Sequence, residues 1–227
     1  MRLSVQTFAV LATVLASLTG LPAASKPHVI TFGKWTAVEA TSGPSQDQLS
    51  RLKIRPLYVD GNLREFTLAS PHEITDHMFA VQRVIRLNDA LPSETGVNPQ
   101  WIWQRAGWMI VDRGSGHITQ AVLPQFDPEL SVASWYREYV AYCGVSADGR
   151  KIYATVIQLG RRKPVLNKQL GQVSDDSPSF PCLSPAWERH PPRVTFTSGD
   201  NKKLTYAVHG HAIELANQND DDDAETE

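Results

Sequence analysis

The chain of 227 residues lacks the short motifs by which the common enzyme classes are recognised. It has no Gly-x-Ser-x-Gly turn that would present a serine nucleophile, no glycine-rich loop for phosphates or dinucleotides, and no His-Glu-x-x-His zinc motif. Its one Gly-Ser-Gly sequence, Gly114-Ser115-Gly116, comes between two strand-like runs, a context typical of a hairpin turn. The sequence therefore indicates no catalytic residue and no cofactor.

Cysteine is scarce, with Cys143 and Cys182 the two in the chain. Two thiols without a nearby pair of histidines make a poor zinc site. In an exported protein an even number of cysteines favours a disulfide, and closing a loop of about 40 residues would stabilise the fold by roughly 4 kcal/mol. We expect this disulfide; two buried free thiols or metal binding are the alternatives.

Long apolar runs are also missing, apart from one near the start. A short basic start, Met1-Arg2, precedes an apolar run over residues 8–21, and small residues follow at positions 23–25. This order is that of a secretory signal peptide, and the run is too short to span a bilayer, which takes roughly 20 residues. We predict a signal peptide over 1–25 and an exported protein, periplasmic or secreted, with no transmembrane span after the signal is removed.

Charge of one sign is concentrated at the end of the sequence. The formal net charge is −2, but residues 217–227 carry six acids and no base, so the rest of the chain has a small positive excess. An excess this small, without a clustered basic face, argues against nucleic acid as a partner. We predict a disordered acidic tail over 217–227, and we expect the basic run Arg161-Arg162-Lys163 to be a solvated hairpin loop.

The sequence does contain a series of strand-like runs separated by turn signals, with no helical periodicity of any length. Proline is frequent, with 15 residues, and Asp60-Gly61 and Asp148-Gly149 mark tight hairpins. Pro56 lies within one run and predicts an edge strand or a bulge there. We predict one all-β domain over 26–216, mostly antiparallel, with long proline-rich loops.

Residues 145–153, Val-Ser-Ala-Asp-Gly-Arg-Lys-Ile-Tyr, resemble the turn between inner strands of TolB-like and WD40-like β-propeller blades. Residues 108–118 are similar to an outer hairpin of the preceding blade. The resemblance covers about a quarter of the chain and implies propeller-like packing, with about 40 residues per blade and at most five blades. A β-sandwich is the alternative architecture. As a whole the chain is similar to secreted bacterial proteins, a likeness that implies no particular chemistry.

Many of the aromatic residues fall in the stretch that begins at Trp101. Residues two apart on a strand point to the same face, so Trp101 and Trp103 would share one. Large rings fill the cores of β proteins, and core packing is one interpretation; a groove for sugars or peptides is the other. The candidate ligand-binding residues are Trp101, Trp103, Trp135, Tyr136 and Tyr139.

His209 and His211 are the candidate metal ligands. On a strand they would share a face and could hold one metal ion. Such a site needs a third ligand, such as His190, His117 or an aspartate brought in by the fold. An exposed pair with no ligand is the alternative.

These observations favour a non-catalytic binding module or an envelope-associated module. Its expected partners are envelope proteins or a carbohydrate or peptide ligand. The alternative function is a metal-assisted hydrolase that uses the pair His209 and His211, and a structural role in a larger envelope assembly is the third possibility.

Overall fold

The computed structural model describes residues 27–41, 49–88, 101–173, 182–198, 201–209 and 212–215. The predicted signal peptide and the predicted acidic tail lie outside these residues. Within them every regular element is a strand, and all strand pairings but one are antiparallel. The predicted all-β fold class is confirmed. No helix in the described part of the chain has the length and apolar character that a membrane crossing requires.

Seven strands form the first sheet, and eight more form two sheets of four. The first sheet contains β1 (Ile30–Phe32), β2 (Thr36–Thr41), β3 (Leu49–Val59), β4 (Asn62–Thr75), β5 (Met78–Asn88), β6 (Trp101–Asp112) and β7 (Ile118–Gln120). The second contains β8 (Ser134–Tyr136), β9 (Tyr139–Val145), β10 (Lys151–Gln158) and β11 (Leu166–Gln172). The third contains β12 (Ala186–Arg189), β13 (Pro192–Thr197), β14 (Lys203–His209) and β15 (Ala212–Leu215).

Five strands of the first sheet, β2 to β6, pair in a closed ring. Each is antiparallel to the next along the chain, and β6 returns to β2 through a parallel junction between Trp103 and Ala40. A ring of five alternating strands must contain one parallel junction, because five is odd.

The edge strand or bulge predicted at Pro56 is not found there: Pro56 pairs in regular register with Phe66, and the extra residue of the nearby register shift is Arg64 of β4. The proline is accommodated because it lies between the pairings of β3 with β2, which end at Ile54, and with β1, which begin at Leu57.

The ring encloses an apolar cluster, because alternate residues of its strands point to opposite faces. Leu52 and Ile54 of β3 are 5% and 2% exposed, and they pack with Ala40 and Val84. A second, separate cluster, which includes the fully buried Leu57 and Phe79, packs under β1 and β7.

The second and third sheets pack face to face. Alternate residues of β9, β10, β13 and β14 form one buried cluster, in which Val156, Val194 and Phe196 are fully buried. The predicted disulfide is confirmed: Cys143 of β9 is bonded to Cys182, and their Cα atoms lie 6.3 Å apart. Both sheets are four-stranded meanders packed as in a sandwich; the resemblance to propeller blades stays a prediction.

The second sheet is buried on both faces. Its other face, with Val140, Tyr142 and Ile157, packs on the segment that links the ring to β8. The Tyr142 hydroxyl donates a hydrogen bond to the Pro124 carbonyl oxygen at 2.6 Å, which ties the sheet to that segment. The junction between the ring and the second sheet is therefore the place where residues distant in sequence meet.

Candidate functional site

A cleft of about 700 Å³, which we call the junction cleft, lies between the ring and the second sheet. Its walls are mainly apolar: Ile74, Met78, Ile110, Ala121, Val122, Ile157 and Leu159. Its size falls in the range of roughly 300–1,000 Å³ that is usual for sites that bury small ligands. The junction cleft is therefore large enough to take an apolar ligand.

Strand ends and turns build the junction cleft. The β4–β5 hairpin supplies Ile74 and Met78, and the end of β10 supplies Ile157. Beyond β10, Gly160 has a φ of +82°, in the left-handed region that glycine adopts without steric cost. This turn brings the next two residues, Arg161 and Arg162, to the edge of the cleft.

The mouth of the junction cleft is positively charged. Arg161 and Arg162 are exposed, and Glu138 is the one carboxylate among the lining residues. The Gln158 amide donates to the Glu138 carboxylate at 3.5 Å. Among the described residues neither arginine belongs to an ion pair, so both guanidinium groups are available to an anionic ligand.

A smaller cleft of about 400 Å³, the bulge cleft, adjoins the junction cleft. The two share the segment 120–122, in which the Val122 side chain is 80% exposed. The bulge cleft opens where Ala106 and Gly107 of β6 bulge out against a single residue of β5. Trp108, which is 8% exposed, lines it, and no described residue accepts a hydrogen bond from the buried Trp108 indole nitrogen.

The five predicted aromatic residues lie in different packing clusters. Trp101 is 51% exposed and Trp103 is half-buried; both face the guanidinium of Arg86, whose carbon is 5.2 and 5.9 Å from their ring centroids. Trp103 packs on the ring core, whereas Trp135 packs at the junction. The predicted common face of Trp101 and Trp103 is present, but it does not extend to the other three rings.

The remaining aromatic residues of the predicted set pack on neighbouring side chains. Trp135 stacks on His72 with ring centroids 5.5 Å apart. Tyr136 stacks on Trp187 at 5.4 Å, and Tyr139 is 6% exposed in the core between the second and third sheets. For Tyr139 this burial favours the core interpretation that the sequence left open, while ligand binding by any of the five stays a prediction.

The histidine pair lies only partly within the described residues. His209 is exposed at the end of β14, where it pairs with Ala212, and His211 lies outside the described residues. No group of three histidine, cysteine, aspartate or glutamate side chains suited to a metal ion occurs in the described ranges. The metal site therefore stays a prediction.

The sequence contained one signal for the junction cleft, the basic run that begins at Arg161. On its own this run predicted a solvated loop, and its three residues are indeed exposed. The sequence did not predict that Arg161 and Arg162 lie beside an apolar cleft. The walls come from separate stretches of the chain, and no local pattern marks residues that only the fold brings together.

No family model, curated protein or solved structure matches this chain. The resemblance to propeller blades gains no support from these comparisons. The shape and chemistry of the clefts are therefore the basis for assigning a function.

Proposed function

We propose that the protein is an exported, non-catalytic binding protein whose junction cleft holds a ligand with an apolar chain and an anionic head group, such as a long-chain carboxylate. The observation that carries the proposal is the combination of apolar walls with two arginines at the mouth that form no ion pair with any residue the structure describes. The disulfide supports export, because such bonds persist in oxidising compartments.

The apolar walls supply most of the expected affinity. Burial of a methylene group contributes about 0.8 kcal/mol, so ten of them contribute about 8 kcal/mol. Loss of translational and rotational freedom costs at least about 4 kcal/mol. With up to about 2 kcal/mol more from the head group, we expect a Kd between about 40 μM and 1 mM.

The arginines supply selectivity for the anionic head. An exposed ion pair contributes at most about 1 kcal/mol, so two contribute up to about 2 kcal/mol, or up to about 30-fold in affinity. An alcohol or a trimethylammonium compound with the same chain should bind more weakly than the carboxylate. A ligand bound by its chain alone would not show this order.

The first test is a fluorescence titration of the purified protein with dansyl-labelled undecanoic acid. Thr119 is exposed and lines the cleft, so Thr119→Trp should fill the cleft and abolish saturable binding. The double variant Arg161→Ala/Arg162→Ala should weaken binding of the carboxylate about 5- to 30-fold.

The matched control is Arg150→Ala/Lys151→Ala, which removes two exposed cations at the opposite end of β10. This variant should bind the probe as the unaltered protein does. Equal weakening by the two double variants would show a non-specific charge effect and would contradict the proposal. Unchanged binding in Thr119→Trp would place the probe elsewhere and would also contradict it.

A further inference from the structure

Three cations lie in a row on the outer face of the ring. In β3 the basic residues Arg51, Lys53 and Arg55 alternate with Leu52 and Ile54, which point into the ring core. The sequence shows this alternation as Arg-x-Lys-x-Arg at positions 51–55. This pattern could have predicted the basic face.

Arg55 lies against two aromatic rings and has no anionic partner among the described residues. Its guanidinium carbon is 3.9 Å from the centroid of the Phe32 ring and 4.5 Å from that of the Trp35 ring. Its Nε atom is buried, and no described residue accepts a hydrogen bond from it. Partial burial lowers the pKa of Arg55 from its usual value.

Few acidic residues lie opposite this row in the part of the chain that the structure describes. In the register of the sheet Ala37 lies opposite Lys53, Thr67 lies opposite Arg55, and only Glu39 lies opposite one of the cations, Arg51. None of the three basic residues takes part in an ion pair formed by the described residues. The nearest other carboxylate on this face of β4, Glu65, is paired with Arg83 at 2.8 Å.

A cleft of about 670 Å³, the β3 cleft, adjoins this row. Its lining contains the Trp35 ring, which is 45% exposed, the Lys53 side chain, and the hydroxyls of Thr36 and Ser70. Ser70 is placed there by a bulge in β4, where residues 69–71 face a single residue of β5 and Ala69 has a φ of +60°. No acidic residue lines the cleft among those the structure describes.

A glycine fixes the position of Trp35. A Cβ atom on Gly33 would lie 2.4 Å from Pro56 Cγ, so only glycine permits this approach of the segment between β1 and β2. The Gly33 amide donates to the Pro56 carbonyl oxygen at 2.8 Å. Phe32 and Trp35, on either side of Gly33, are thereby held against Arg55.

We propose that the β3 cleft is a second binding site, for a saccharide that carries carboxylate, phosphate or sulfate groups. The C–H face of a sugar ring would stack on the exposed Trp35 ring, and its hydroxyls would bond to Thr36 and Ser70. The anionic group would meet Lys53, which lines the cleft, and could reach Arg55, which lies beside the lining residue Trp35 and has a guanidinium with paired N–H donors. This site is separate from the junction cleft and shares none of its lining residues.

The test is calorimetric titration of the purified protein with trigalacturonate, with neutral maltotriose as the uncharged comparison. We expect saturable binding of trigalacturonate that weakens as salt is raised, and no saturable binding of maltotriose at the same concentrations. Lys53→Ala and Trp35→Ala remove exposed side chains, so neither should unfold the protein. Each should weaken binding by up to about fivefold.

Two control variants distinguish this site from other surfaces. Lys168→Ala removes an exposed cation of β11, and Trp101→Ala removes the other exposed tryptophan of the ring; both should leave trigalacturonate binding unchanged. Loss of binding in Trp101→Ala but not in Trp35→Ala would overturn the proposal, as would the absence of saturable trigalacturonate binding. Trigalacturonate binding that persists in Arg161→Ala/Arg162→Ala supports a separate site, whether or not the junction cleft is found to bind a long-chain carboxylate.

Discussion

Removal of the disulfide between Cys143 and Cys182 should cost about 4 kcal/mol in the free energy of unfolding. The two cysteines are 39 residues apart in sequence. In the chain-entropy model, closing a loop of about 40 residues removes about 13 cal/mol/K of entropy from the unfolded chain, which is about 3.9 kcal/mol at 25 °C. Domains of this size are stable by roughly 5–15 kcal/mol, so the loss is a large part of the total.

The surroundings of the disulfide set a second, smaller contribution. Cys143 is 2% exposed in the core between the second and third sheets, whereas Cys182 is half-buried. Cys143→Ala/Cys182→Ala therefore also removes one buried sulfur atom, at a cost of about 1 kcal/mol. The reduced, unaltered protein retains both sulfur atoms and isolates the effect of the cross-link.

The assay is equilibrium unfolding in urea, followed by tryptophan fluorescence, of the oxidised protein, the reduced protein and the double variant. The reduced protein should lose about 4 kcal/mol and the double variant about 5 kcal/mol. Both should show a steeper dependence on urea, because an unfolded chain without the cross-link exposes more surface. If the reduced protein lost less than about 1 kcal/mol, the disulfide would not stabilise the fold by restricting the unfolded chain, and this explanation would be wrong.

Two further predictions concern backbone packing and pH. Gly33→Ala places a methyl group against Pro56 and should lower the free energy of unfolding by about 1–3 kcal/mol. In the control Gly171→Ala the new methyl group meets no atom within 4 Å, so urea unfolding should give the same free energy within about 0.5 kcal/mol. Equal losses in the two variants would contradict the close packing of Gly33 on Pro56. Burial raises the pKa of the Tyr142 phenol, so its contribution to stability should be complete below about pH 10, where an unfolded tyrosine ionises, and should fall as the pH rises further. Urea unfolding at about pH 9, 10 and 11 checks this, and an equally steep fall in Tyr142→Phe would show that other groups cause it.

The hairpins of the fold were predictable because their signals are local. Asp60-Gly61 connects β3 to β4 and Asp148-Gly149 connects β9 to β10, with Gly61 and Gly149 both at positive φ as tight turns require. The disulfide followed from the cysteine count. Each of these features depends on a few neighbouring residues or on a single pair, so the sequence was sufficient.

The closed ring and the clefts were not predictable, because they depend on contacts between distant segments. The junction between Ala40 and Trp103 joins strands that are far apart in sequence, and no local pattern selects that pairing. The predicted aromatic groove assumed one continuous face, but Trp103 and Tyr139 belong to different cores. The row on β3 could be predicted from the alternation of Arg51, Lys53 and Arg55, although only the fold shows that none of them forms an ion pair with a described residue.

The most direct test of the proposed function is a crystal structure of the protein soaked with a long-chain carboxylate that carries bromine at the end of its chain. We predict an anomalous bromine peak inside the junction cleft, near Ile74, Met78 and Ile157, with the carboxylate at Arg161 or Arg162. A bromine peak only on another surface, or none at concentrations that saturate fluorescence binding, would contradict the proposed function.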